Sequence, residues 1–107
     1  MLGPSAHTDT FTRDNLPPEN TWPEFLLDGF DYPDHINVGV ELTDRMVDLG
    51  FGDNTALIGN GRQRTYKELS DWTNRIAHAL AEDYGVVPGN RVLIRSANNP
   101  AMVACWL

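Results

Sequence analysis

The residues that could carry chemistry are few and scattered. Of the three histidines, His7 and His35 lie in a stretch without periodic structure and receive no role. His78 falls among Asp71, Arg75 and Glu82 on the polar face of a predicted helix. It has no His or Cys at a helical offset of three or four, so it reads as a solvated side chain rather than a metal ligand. Cys105 is the single cysteine, which rules out an internal disulfide and, with no nearby His, gives no zinc pattern. Gly50-Phe51-Gly52-Asp53-Asn54 is too short for a phosphate cradle, which needs a longer glycine-rich pattern between a strand and a helix, and it reads as a turn. No Ser/His/Asp constellation and no carboxylate pair against an aromatic pocket is present. Consequently no catalytic, cofactor-binding or metal-ligating residue is assigned to any position.

The elements that would position side chains are clearer than the chemistry. Asn37 is placed to cap a helix running to about Leu49, with Val38, Leu42, Met46 and Leu49 on one face and Gly50 to end it. Glu41 and Arg45 stand one turn apart on it as a solvated pair. Ala56-Leu57-Ile58, Gly59-Asn60-Gly61 and Arg62-Gln63-Arg64-Thr65 predict a β-hairpin, because Asn-Gly supplies the positive φ angles of a tight primed turn. Thr65 stands three residues before Glu68, a capping box that opens a helix from Tyr66 to about Asp83, ending before Gly85. Leu69, Trp72 or Thr73, Ile76 and Leu80 form its apolar stripe. Pro88-Gly89 makes a turn, and Val92-Leu93-Ile94 predicts a strand over Arg91 to Arg95. Asn99 caps a final apolar helix with Pro100 at its first position.

Upstream, residues 1–35 are rich in Pro, Asp, Asn and Thr, and form an irregular arm. Within it, Trp22, Phe25, Leu26, Leu27 and Phe30 have the spacing of a short helix after Pro23, with its aromatics anchoring the arm on a larger body. The helix from Ala101 to Leu107 has no polar face and no stop signal, and a helix so short is marginal unless buried. The expectation is that it has nothing within these residues to pack against, and that the natural protein continues past Leu107. The rest of the chain would then cover this helix and pair with Arg91 to Arg95.

Composition bounds the partners. The 107 residues suit one small domain, and 41% hydrophobic residues allow a modest core. A net charge of −7, with only eight Lys and Arg residues and no basic stripe, argues against nucleic acid. No segment approaches the roughly 20 apolar residues that span a bilayer, and no basic start precedes an apolar block, so a cytoplasmic protein without membrane partners is expected.

The order of these elements, with certain residues in them, resembles the start of the adenylate-forming superfamily, the acyl- and aryl-CoA ligases. Arg64-Thr65-Tyr66-Lys67-Glu68-Leu69 is similar to the family's Thr-Tyr-x-Glu-Leu motif, with Asn74, Ala77 and Leu80 at the usual offsets. Gly85-Val86-Val87-Pro88-Gly89-Asn90-Arg91-Val92 resembles its Gly-Val-x-Pro-Gly-Asp-x-Val turn, with Asn90 where Asp is commoner. Asn98-Asn99-Pro100 matches the Asn-containing loop before the next helix. Tyr32-Pro33-Asp34-His35-Ile36-Asn37-Val38, Val40-Glu41-Leu42 and Asp44-Arg45 look like the entry of benzoate- and 2-aminobenzoate-CoA ligases.

The resemblance implies an α/β fold: the N-terminal portion of the family's large domain, an incomplete sheet with flanking helices after the irregular arm. The arm would be residues 1–35 and the truncated AMP-binding domain residues 36–107. It further implies an enzyme that uses ATP, Mg and CoA on an aromatic carboxylate, through an acyl-adenylate. The family's phosphate loop, acyl pocket and mobile C-terminal domain come after the matched region, so the fragment itself is expected to be inactive, to bind no cofactor and to serve a structural role. The alternatives are a fatty-acyl ligase, a carrier-protein-loading adenylation enzyme, and a small non-enzymatic module that buries its last helix in a partner.

Overall fold

The computed structural model describes residues 3–107. They divide into two compact units, one made of the residues through Ile36 with Val87–Arg91, the other of Asn37–Val86 with Val92–Leu107.

The second unit is built around a hairpin and the helix that follows it. Strands β1 (Thr55–Gly59) and β2 (Arg62–Thr65) pair antiparallel, with Leu57 opposite Arg64, Ile58 opposite Gln63 and Gly59 opposite Arg62. The expected Asn-Gly turn joins them, Asn60 at φ 54° and Gly61 at φ 71°, both in the left-handed region that a primed turn demands. Helix α4 (Tyr66–Glu82) starts directly from β2. Its capping box is complete: the Glu68 N–H donates to Thr65 Oγ1 at 3.2 Å, and the Thr65 N–H donates to Glu68 Oε2 at 2.9 Å. Two of the free donors at the helix start are thereby satisfied by side chains. Leu69 and Ser70 are buried, and Trp72, Thr73, Ile76 and Leu80 are half-buried along the same stripe.

The predicted single helix from Asn37 to Leu49 is corrected. Asn37 does cap helix α2 (Val38–Leu42), accepting from the Val40 N–H at 3.1 Å, but the chain breaks at Thr43 (φ −123°, ψ −75°). Helix α3 (Asp44–Met46) and a wide turn over Val47–Phe51 follow, with Gly50 at φ 86°. The cause is local: the Thr43 hydroxyl lies 2.7 Å from the Gly39 carbonyl and 2.9 Å from Asp44 Oδ2, a competing set of bonds of the kind Thr and Asp offer the backbone. Thr43 is 1% exposed, so the break is fixed by burial as well.

Helix α5 (Pro100–Trp106) begins as expected, Asn99 Oδ1 accepting from the Met102 N–H at 3.0 Å. The expectation that it finds nothing here to pack against is corrected: it meets α4 and β1, and Ala104 is 1% exposed. The approach to the hairpin is close enough that a Cβ on Gly59 would stand 2.7 Å from Pro100 Cγ. Trp106, on the same helix, remains 66% exposed.

Two further expectations are corrected. Arg91 to Arg95 forms no strand, because β1 and β2 pair with each other and no described segment runs alongside it; Leu93 is 94% exposed. The sheet of the described residues is therefore the two-stranded hairpin alone. Nor do Trp22 to Phe30 form a helix: Trp22, preceding Pro23, is extended (ψ 145°), and Leu27–Phe30 closes a turn at Gly29 (φ 85°) through a 2.9 Å bond from the Phe30 N–H to the Leu27 carbonyl. Phe25, Leu26 and Phe30 stand exposed; Trp22 is half-buried, its Nε1 donating to the Pro17 carbonyl at 2.8 Å. The irregular stretch before them does contain one helical turn, α1 (Phe11–Asp14), and a 3₁₀ turn at Glu19–Thr21.

Candidate functional site

Two polar constellations are assembled by the fold, one in each unit. In the second unit, Asp44 at the start of α3 faces α4. Its Oδ1 accepts from the Ser70 hydroxyl at 3.0 Å and from Asn74 Nδ2 at 3.4 Å, and Asn74 Nδ2 also lies 3.3 Å from Ser70 Oγ. Oδ2 lies 2.9 Å from the Thr43 hydroxyl. Burial pushes the Asp44 carboxyl up, but the hydrogen bonds from Thr43, Ser70 and Asn74 outweigh it and hold the group below its ordinary value. Each partner donates to the charged form. The arrangement can hold α3 on α4, but every donor around the carboxylate belongs to the same packed surface, so it acts as a tie between elements.

The first unit contains the second constellation. Asp9 Oδ1 accepts from the Phe11 N–H at 3.0 Å, and Oδ2 accepts from Asn90 Nδ2 at 2.7 Å and from Arg91 at 2.8 Å. The Phe11 N–H lowers the Asp9 pKa most, then the Asn90 amide; a smaller desolvation opposes them and the Arg91 charge adds to the lowering. Val87–Asn90 is the expected Pro-Gly turn, closed by a 3.0 Å bond from the Asn90 N–H to the Val87 carbonyl, with Gly89 at φ 97°. Asn90 Oδ1 accepts from the Val87 N–H at 3.0 Å, which fixes the amide so that its NH₂ faces Asp9.

The residues singled out for possible chemistry remain apart. His78 lies in a shallow groove with Asp71, Asn74 and Arg75. His7 and His35 line a separate surface pocket with Asp34 and Arg13. Cys105 is exposed. Glu41 and Arg45 are in contact as the spacing predicts. Gly50–Asn54 ends the wide turn, and the Lys67 and Tyr66 N–H groups donate to the Gly52 and Asn54 carbonyls, at 2.9 and 3.1 Å. That loop thus presents carbonyls toward its own helix start, the wrong polarity for cradling a phosphate. Among the described residues no group of three or more His, Cys, Asp or Glu could hold a metal ion. The Gly50–Asn54 loop does not fit an ATP–Mg site. Among the described residues, no helix is long and apolar enough to cross a membrane.

Neither constellation was visible in the sequence. Asp44 lies 26 and 30 residues from Ser70 and Asn74, and Asp9 81 and 82 from Asn90 and Arg91. Asn74 and Asn90 are motif positions, yet nothing in the local pattern says what they bind.

Comparison with known proteins bears on the same region. The chain is 38% identical over 72 residues to a 3-hydroxybenzoate–CoA/4-hydroxybenzoate–CoA ligase of Thauera aromatica, covering 67% of this chain and 14% of that protein. It is 40% identical over 80 residues to an acetyl-coenzyme A synthetase of Mycolicibacterium smegmatis, covering 65% of this chain and 8% of that one. A 3-oxocholest-4-en-26-oate–CoA ligase of Rhodococcus rhodochrous is 41% identical over 70 residues, 62% of this chain and 12% of the ligase. The chain thus spans less than a sixth of the length of each of these relatives. No solved structure gives a significant match. The profile of the family described as AMP-binding enzyme matches residues 47–107, which takes in the hairpin, the capped helix α4, the Pro-Gly turn and α5. With more than half its length accounted for in this way, the chain belongs to the AMP-binding enzyme family.

Proposed function

We propose that the chain is part of an ATP-dependent acid–CoA ligase acting on an aromatic carboxylate, benzoate or 2-aminobenzoate. In that reaction the carboxylate oxygen attacks the α-phosphorus of ATP, releasing pyrophosphate and forming an acyl-adenylate. The CoA thiol then attacks the acyl carbon, losing its proton, and AMP leaves. Mg would offset charge on the phosphates. The observation that carries the reading is the family match over residues 47–107, with a hydroxybenzoate–CoA ligase among the relatives. Residues 36–107 would open the family's large α/β domain and residues 1–35 form an arm preceding it, in a protein of the cytoplasm. Their contribution would be structural: α4 and the hairpin support the parts that bind ATP and acid, and the remainder of the protein would cover the open side of α5. Residues 1–107 alone would bind neither ATP nor CoA, since they hold no phosphate-binding loop.

A second reading, a ligase for a small aliphatic acid, is favoured by the acetyl-coenzyme A synthetases among the relatives. Acid-dependent exchange of pyrophosphate into ATP by the full-length protein separates the two, with benzoate, 2-aminobenzoate, hydroxybenzoates, acetate and a long-chain acid compared. Exchange with the aromatic acids, followed by CoA thioester formation, is expected. Exchange with acetate alone would select the second reading. Exchange without thioester would point to a carrier-protein acceptor, and no exchange with any acid would end the ligase reading. The 107-residue chain is expected to give none.

A further inference from the structure

The turn at Val87–Arg91 offers four groups to one short segment of the arm. Its Pro88 carbonyl accepts from both the Thr8 and Asp9 N–H groups, at 2.9 and 3.0 Å. Asn90 and Arg91 both donate to the Asp9 carboxylate, and the Arg91 guanidinium lies 4.4 Å over the Phe11 ring. Gly89 leaves its surface bare: a Cβ there would stand 2.1 Å from the Asp9 carbonyl oxygen. Bare backbone, a carbonyl acceptor, an amide donor and a cation are complementary to a carboxylate followed two residues later by an aromatic ring.

We propose that the Val87–Arg91 turn is a docking surface for an acidic-aromatic segment, and that its occupant is the chain's own Thr8–Phe11. The occupant is fixed by the contacts: the carboxylate, the ring and two backbone amides of one short segment engage the four turn groups together. Asn90 sets the specificity. Its Oδ1 is engaged by the Val87 N–H, so only the NH₂ is left to face Asp9. An Asp at this position would keep the Val87 bond and set a carboxylate against the Asp9 carboxylate, so the arm would be repelled while the turn remained intact.

The exchange rates of the Thr8 and Asp9 amides, measured by NMR on the full chain, test this directly. Both are expected to exchange at least about tenfold more slowly than in an unstructured peptide, and Asn90→Asp to remove about that much protection, the scale of a lost charge-assisted pair. The exchanged pair, Asp9→Asn with Asn90→Asp, restores an amide facing a carboxylate and should recover protection to within about twofold. Amides in the middle of α4 serve as the folding control and should be unchanged throughout. Unprotected Thr8 and Asp9 amides in the wild type, or protection indifferent to Asn90→Asp, would overturn the proposal. So would an exchanged pair no better than the single variant.

Discussion

Helix α4 and the Arg91–Arg95 segment place opposite demands on the rest of the molecule. The helix closes its hydrogen bonds within 17 residues, caps its own start through Thr65 and Glu68, and needs a neighbour only for the stripe centred on Leu69. The segment has an equally apolar centre, but an extended backbone satisfies nothing internally, and each of its N–H and C=O groups needs a strand alongside. No described residue supplies one, and Val92 and Leu93 are exposed. Local closure is thus enough to build an element here, and apolar character without pairing is not.

That contrast can be broken most forcefully at the one large side chain buried on α4. Leu69→Ala should cost about 3 kcal/mol in equilibrium unfolding, because a 3%-exposed leucine leaves a cavity between α4 and its neighbours. A cost near zero would mean the helix does not depend on that burial. Next in size is the cap itself: Thr65→Ala removes one half of the capping box and should cost about 1 kcal/mol, read by the same melt. Thr65→Ser, which keeps the acceptor, should cost less than half of that.

Asp44 sharpens the comparison, since it ties α3 to α4 through side chains alone. Asp44→Ala should cost about 1 kcal/mol at neutral pH by leaving the Ser70 and Asn74 donors without their acceptor. The pH dependence has a definite sign. The folded carboxyl lies below its ordinary value of 3.8, so its contribution is present above that pH and is lost as pH falls through the lower folded value. Wild type and Asp44→Asn should therefore converge in stability below about pH 4 in acid titration of the melt; a gap that persists or widens there would contradict the tie. The smallest effect is expected at the exposed Glu41–Arg45 pair, where Glu41→Gln should change stability by about 0.3 kcal/mol and less at high salt.

The parts of the fold legible in the sequence are those with a mechanism spanning a few residues. The Asn60-Gly61 turn, the Thr65–Glu68 box, the Asn37 and Asn99 caps and the Pro88-Gly89 turn all formed where the residue types require. Periodicity misled where a local bond competed with it. The stripe of Val38, Leu42, Met46 and Leu49 suggested one helix, but the hydroxyl of Thr43 and the carboxylate of Asp44 broke it. The apolar spacing of Trp22 to Phe30 likewise yielded to the turn at Gly29.

By itself the sequence determined the hairpin, helix α4 and its cap, and the motifs that mark the AMP-binding enzymes, because each is set by the conformational preference or hydrogen-bonding reach of residues adjacent in the chain. Only the tertiary structure decided that Asp44 would meet Ser70 and Asn74, that Asp9 would meet Asn90 and Arg91, and that α5 would press Pro100 against Gly59. Those contacts join residues far apart in sequence, and their geometry is set by how whole elements pack, which no short window of residue types encodes.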